Sequence, residues 1–250
     1  MTWDIYDELI EQVPSNLTLK RYLSASHWNL AETDSIGMSM VPREGNSRIP
    51  GAGNFSGMNA KDAAAKIKSW NNHEAAFGLS VINSVINNPD KIFALTEYEI
   101  EKDSNVSLFD YMREELHGKK VAVIGHFCGI ESLKEICTLS ILERFPQPGD
   151  FPDPACEYIL PEQDYVFITG TTLINKTMPR LLELSKNAKI AIVGPSTPMS
   201  SVLFQHGVSI AAGTAILDKS KVWNLIQEGD QHRFFSEGGQ MIKVSIKRPL

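Results

Sequence analysis

Cysteine is scarce in this sequence: Cys128, Cys137 and Cys156 are the three in 250 residues, and no Cys-x-x-Cys pair occurs. Three residues cannot all pair and the paired spacing of a structural zinc site is missing, so neither a disulfide framework nor such a zinc site is indicated, and a reducing compartment is expected. Long apolar runs are also missing. The stretches VAVIG from Val121 and YVFITG from Tyr165 fall far short of the roughly 20 residues that a membrane helix needs. The opening MTWDIYDELIEQV carries acids where a secretory signal would place a basic and then an apolar region, so a cytoplasmic protein is expected. Nor is there a basic run. Lys plus Arg number 24 against 30 Asp plus Glu, a net charge of −6, which gives nucleic acid no electrostatic footprint. The expected partner is a small-molecule substrate or a metal chelate, with neither membrane nor nucleic acid involved; assembly into a homo-oligomer is left open.

What is present is an ordinary globular composition, 42% apolar, enough for a sizeable core. Trp3, Tyr6, Leu9, Ile10 and Val13 share one face of a helix that Pro14 and Ser15 end. Residues 17–28 and 35–41 read as two antiparallel strands, 43–57 as a long glycine-rich loop, and 60–70 and 74–86 as helices. Together these make a smaller α+β domain over 1–95, with a break near 88–106. After a short helix over 108–116 the pattern changes. From Lys119 onward, short β-branched runs with almost no polar alternation (VAVIG, LSILER, YVFITG, KIAIVG, VSIAAG) alternate with helical runs. Strands of that kind are buried on both faces and the helices between them are crossovers. The fold class is therefore α/β, a Rossmann-like, mostly parallel sheet over 106–250.

In such sheets a ligand sits beyond the carboxyl ends of the strands. The loops there contain Gly125, His126, Cys128 and Gly129 after the first strand and Glu143-Arg144 after the second. Gly170-Thr171-Thr172 follows the third strand, and Gly194-Pro195-Ser196-Thr197-Pro198 the fourth. Glycine permits close backbone approach, and free N–H groups and hydroxyls donate to anionic oxygens. Helix capping is the other use of those hydroxyls. Glu143 lies eighteen residues after Gly125, where nucleotide-binding sheets place a ribose-binding acid, but only two of the three glycines of that motif are present; the other reading is a solvated acid paired with Arg144. His126 and Cys128 form a weak metal-ligand pair. Asp153 and Glu157 stand four apart and are better placed than Asp150 to orient a polar substrate. In the first domain Glu74 either contributes to a site with His73 or stabilises a helix start, and the loop carrying Arg43 and Arg48 can fold over the site as a lid.

Several strings carry a family resemblance: ERFPQPGD (143–150), LPEQDYVFITGTTLIN (160–175), VGPSTP (193–198) and LFQHGV (203–208). They resemble the family called "putative heavy-metal chelation" over about 107–248. NHEAAFGLSVIN (72–83) resembles the domain found fused before it, which is similar to the enolase amino-terminal fold. The resemblance implies two domains with a site between them and a link to making or handling metal chelators. It places Gly170, Thr171, Thr172, Asn175, Gly194, Pro195, Ser196 and Thr197 on the family's motif positions. The second domain is also similar in layout to methyltransferases but has GHFCG where their glycine-rich loop belongs.

Three functions compete. The first is an enzyme that condenses or hydrolyses a small polar, ring-bearing precursor of a chelator, of the pterin, flavin or siderophore kind. Glu143, Asp153 or Glu157 would be its general acid or base, Glu74 a contributor across the interface, and the GTT and GPSTP loops, with Gly125 and His126, its substrate contacts. The second is a non-catalytic metal or metal-chelate binder using His126 and Cys128. The third is a methyltransferase-like or nucleotide-binding enzyme. No cofactor is assigned.

Overall fold

A computed structural model describes residues 3–45, 49–102 and 106–246. Helix α1 (Asp4–Glu11) buries Ile5, Tyr6, Leu9 and Ile10, the face its spacing dictates. Three strands follow where two were expected: β1 (Arg21–Ser24), β2 (Trp28–Glu32) and β3 (Ile36–Met40), an antiparallel meander with β2 in the middle. The stretch 17–28 fails as one strand because a tight turn, closed by Ala25 N–H donating to the Trp28 carbonyl at 3.0 Å, reverses the chain within it.

Helix α2 (Ala60–Ala64) is shorter than expected and passes into a 3-10 turn over Ala65–Lys68; Asn59 caps it by accepting from Lys61 and Asp62 N–H. Helix α3 (Asn72–Ile86) is buried at every residue except Asn72 and Glu74. It packs on the meander at close quarters. A Cβ added to Gly37 of β3 would lie 2.0 Å from Ser84 N and 2.2 Å from Ser80 O, so strand and helix backbones meet where glycine leaves room. Ser39 Oγ, donating to the Ala76 carbonyl at 2.7 Å, holds the same seam. The opposite face of the meander buries Trp28, Leu30, Ile36 and Met38 against residues 216–234.

The segment in which a break was expected holds α4 (Pro89–Phe93) and β4 (Tyr98–Glu101), and β4 is an edge strand of the large sheet. Beyond it come α5 (Leu108–Tyr111), α6 (Arg113–Leu116), β5 (Lys120–Ile124), a 3-10 helix over Ile130–Glu135, β6 (Thr138–Glu143), the short β7 (Phe151–Pro152) and α7 (Cys156–Ile159). The chain continues through β8 (Tyr165–Thr169), α8 (Met178–Leu184), β9 (Lys189–Val193), α9 (Ser201–Gln205), β10 (Val208–Ile216), α10 (Lys219–Gln227) and β11 (Gly239–Ile246). The sheet order is β4-β11-β10-β9-β8-β5-β6-β7, parallel from β10 to β7 and antiparallel at the β4 and β11 edge. This is the α/β, mostly parallel sheet read from the sequence, with a smaller antiparallel sheet before it. Among the described residues, no helix is long and apolar enough to cross a membrane.

One apolar core runs through both sheets' territories, joining Leu9, Phe77, Leu79 and Val85 to Ile168, Met199 and Leu203. The other face of the large sheet packs Leu108, Phe109 and Leu116 against Val123, Phe167 and Ala191.

The Gly37 contact gives a direct test. Gly37→Ala should destabilise the protein by about 3 kcal/mol or more, because backbone rather than flexible side chain must give way. A chemical denaturation midpoint unchanged from the parent would contradict the packing described.

Candidate functional site

The parallel part of the large sheet starts in its middle. From β5 the chain steps to β6 and β7 on one side, then returns to β8, β9 and β10 on the other, so the loops leaving β5 and β8 diverge and open a crevice between them. A cleft of about 640 Å³ occupies that position. Its floor and sides come from the carboxyl ends of β5 (Gly125, His126, Phe127), β6 (Glu143, Arg144, Phe145) and β8 (Thr169, Thr171, Thr172), with Asp153 and Glu157 before β8 and Asn175 and Lys176 after it. Met40, Val41, Pro42, Arg43 and Glu44 line it from the first part of the chain. The expected lid thus supplies Arg43; Arg48 lies outside the described residues.

His126 is held at both ring nitrogens. Nδ1 is 3.0 Å from Asp150 Oδ2 and Nε2 is 2.7 Å from Glu131 Oε1. The Asp150 carboxylate, 3% exposed, also accepts from the Gln147 N–H, which fixes it beneath the ring, whereas Glu131 is half exposed. The bond to Asp150 raises the His126 pKa above the ordinary histidine range, burial opposes it, and Glu131 adds to the rise. Asp150, read from the sequence as a turn residue, is therefore the partner that orients the histidine.

The three carboxylates expected to do acid–base work do reach the cleft, each already engaged. Glu143 Oε2 accepts from the N–H groups of Arg144, at 2.6 Å, and Phe145. The Glu143–Arg144 side-chain pair, one of the two readings of that acid, is not found among the described residues. Arg144 instead reaches Asp153 at 2.9 Å and, across to the covering segment, Glu44 at 3.0 Å. Glu157 pairs with Arg180 through two bonds, of 2.9 and 2.6 Å, which keeps its carboxyl below the usual range.

The GTT loop is half cleft wall and half scaffold. Thr171 and Thr172 line the cleft, although the Thr172 hydroxyl donates to the Thr169 carbonyl at 2.7 Å. Gly170 does not. A Cβ there would lie 2.8 Å from Thr197 N, so that glycine serves loop packing. Asn175 lines the cleft while its Oδ1 accepts from Thr177 N and Oγ1 at the start of α8.

The GPSTP loop is placed differently from the GTT loop. Gly194, Pro195, Ser196 and Thr197 are not among the cleft's lining residues, and the first part of the chain covers Ser196 and Thr197. Ser196 Oγ accepts from Met40 N–H at 2.9 Å, and Asn83 Nδ2 donates to the Ser196 carbonyl at 3.1 Å. Asn87 makes two bonds: its Nδ2 donates to the Thr197 carbonyl at 2.9 Å, and its Oδ1 accepts from Met199 N–H at 2.8 Å. The loop is the seam between the two parts of the chain. His73 and Glu74 also miss the cleft. His73 is buried within α3, and Glu74 turns to Lys66 at 2.8 Å; Asn72, one turn-position earlier, is the residue of α3 that lines it.

Cys128 is exposed and outside the cleft lining, so it does not join His126 there. Among the described residues no group of three or more His, Cys, Asp or Glu is placed to hold a metal ion. Cys156 does line the cleft, but burial, with Asp153 and Glu157 nearby, pushes its thiol up to about 12, so it stays protonated near neutrality.

Lys176 escaped the sequence reading. It is the one described non-glycine residue with positive φ, 66°, and it is 2% exposed while lining the cleft. Its Nζ donates to the Ile174 carbonyl at 2.6 Å, and burial lowers its pKa to about 8. The legible signal was a lysine between the apolar Leu173-Ile174 pair and a proline-led helix start.

Two family models, both described as "Putative heavy-metal chelation", match residues 107–245 and 6–86. A crystal structure of a protein of unknown function from the DUF364 family of Desulfitobacterium hafniense is 36% identical, with a TM-score of 0.90 over 97% of this chain and 98% of that one. A second such protein, from Pyrococcus horikoshii, shares the fold at 20% identity, with a TM-score of 0.77 over 97% and 98% of the two chains. An uncharacterized protein of Methanocaldococcus jannaschii is 38% identical over 138 residues, 52% of this chain and 53% of that one, so the match spans about half the length of that curated relative.

Two outcomes check this geometry. The His126 ring should titrate above the usual midpoint of about 6.5 in NMR, and Asp150→Asn should bring it down. Because the folded value is the raised one, the stabilisation from this group is complete at pH below the unfolded value and disappears as pH rises through the folded one. Separately, Asn87→Ala strands the Thr197 carbonyl and the Met199 N–H in the interior and should cost roughly 3 kcal/mol in urea denaturation.

Proposed function

The chain belongs to the family described as "Putative heavy-metal chelation", and on that footing we propose that it is an enzyme of chelator metabolism. In this reading the interdomain cleft binds a small, anionic, ring-bearing molecule, a chelator or its precursor, and His126 exchanges a proton with it during condensation or hydrolysis. The observation that carries the reading is His126, at the carboxyl end of β5 and lining the cleft, held from behind the lining by Asp150. A histidine oriented by a buried carboxylate, with its second nitrogen facing a half-exposed partner that ligand can displace, is the arrangement general acid–base chemistry needs.

The cleft's composition supports the substrate class. Its volume suits a small organic molecule, and Ile124, Phe127, Pro42, Leu142 and Leu181 offer apolar surface to a ring. Arg144 and Arg180 are held by carboxylates, and Arg43 of the covering segment, which forms no ion pair among the described residues, is the arginine the lining offers to an anion. Asp153 and Glu157, locked in those ion pairs, position arginines and do not trade protons. A metal would arrive and leave with the organic ligand, since the side chains named here do not form a coordination set.

Native mass spectrometry of protein purified without chelating agents should reveal a copurifying small organic anion. His126→Asn should retain that molecule but fail to convert it, while Thr171→Trp, which fills the cleft, should lose it. A protein that carries nothing and gives no calorimetric heat with a panel of anionic ring compounds would overturn the proposal.

A further inference from the structure

We propose that Lys176 is an amine nucleophile that joins the cleft's ligand as an imine, which makes the substrate class a small anionic aldehyde or ketone. This rests on the reading of the cleft as a small-molecule site and specifies the functional group that site acts on.

Three observations converge on the residue. First, Lys176 is the lysine among the cleft's lining residues, and it is withdrawn from bulk water, 2% exposed. Second, among the described residues its ammonium group makes no ion pair; its bonded partner is the neutral Ile174 carbonyl at 2.6 Å. Buried ammonium groups ordinarily sit against a carboxylate, and where only a neutral acceptor is supplied the uncharged amine is favoured. That carbonyl can accept one N–H of the free amine and leave its lone pair to point elsewhere. Third, the residue is held in the left-handed backbone region, which is unfavourable for a non-glycine residue and persists only where surrounding structure imposes it. Asn175 and Thr177 on either side are tied together by the bonds at the start of α8, which fix the turn that presents the lysine.

A purely structural lysine, clasping its own loop, would account for the bond to Ile174. It would not account for placing a cation in a cleft wall with a neutral carbonyl as its bond partner when Glu44, Glu143, Asp153 and Glu157 line the same cleft. The lowered basicity seen above agrees with the nucleophilic role, because about half of such groups are uncharged in mildly alkaline solution.

The chemistry balances without further reagents. The amine lone pair attacks the carbonyl carbon, forming a C–N bond as the C=O electrons move to oxygen. A proton passes from nitrogen to that oxygen, and the resulting hydroxyl takes a second proton, for which His126 is the acid in the same cleft, and leaves as water. The product is a protonated imine and the ring of His126 is left neutral.

The test uses the full chain and pyridoxal phosphate, chosen as an anionic, ring-bearing aldehyde, with borohydride to reduce and trap any imine, read by intact mass and peptide mapping. The expected result is one adduct at Lys176, forming on the order of 100-fold faster than on a surface lysine at neutral pH, since the fall from 10.5 to about 8 frees more than a hundredfold more amine. Lys176→Arg, verified as folded by circular dichroism, should lose that adduct and keep the slow surface labelling. In case the variant does not fold, competition in the parent protein serves: salicylate, a ring anion with no aldehyde or ketone, should slow labelling of Lys176 alone. If salicylate binds but label spreads over surface lysines and spares Lys176, the imine inference is overturned while the cleft reading stands. If neither compound binds, both fall.

Discussion

Two asparagines on one helix hold this architecture together. Asn83 and Asn87, a helical turn apart at the end of α3, supply side-chain amides to the backbone of the loop that leaves β9. That loop ends a parallel strand and so has carbonyls and N–H groups with no partner inside the sheet; a buried polar backbone must find one or be strongly destabilising. With the amides in place the meander is seated, Met40 N–H reaches Ser196, and the segment that follows β3 is delivered over the ends of β5 and β6. The cleft exists because that segment is its roof.

The same constraint explains where the sequence was legible. Unbroken β-branched runs announced the parallel sheet, and glycine-led loops after them marked the end of the sheet where ligands bind, because both signals are local. GTT and GPSTP looked equivalent for that reason: each offers a glycine, hydroxyls and free backbone groups. What separates them is tertiary. Ser196 and Thr197 lie where the first part of the chain lands, and Thr171 and Thr172 lie where it leaves a gap. Likewise His126 was visible as a residue on a ligand-facing loop, but its partner Asp150, twenty-four positions away, could not be told from an ordinary turn acid until the loop after β6 folded back beneath the ring. Lys176 was harder still, since a lysine in sequence is by default a solvated one, and only burial together with a left-handed backbone sets it apart. The carboxylates Asp153 and Glu157 went the other way, attractive by spacing and then neutralised by Arg144 and Arg180.

Charge in the cleft is arranged in two tiers. The outer tier consists of arginine–carboxylate pairs, Arg144 with Glu44 and Asp153, and Arg180 with Glu157 and Glu183, partly exposed and so of modest worth to stability. The inner tier is His126 on its buried aspartate and Lys176 on a carbonyl. The outer pairs fix the shape of the opening; the inner groups have the proton affinities that chemistry near neutrality draws upon.

The apolar core passes without interruption from Leu79 and Val85 of α3 to Ile168 and Leu203 around the large sheet. That continuity makes the two stretches one cooperative unit. Neither could be exchanged for a foreign module without leaving an apolar face bare on the other, and heat or denaturant has no seam along which to part them.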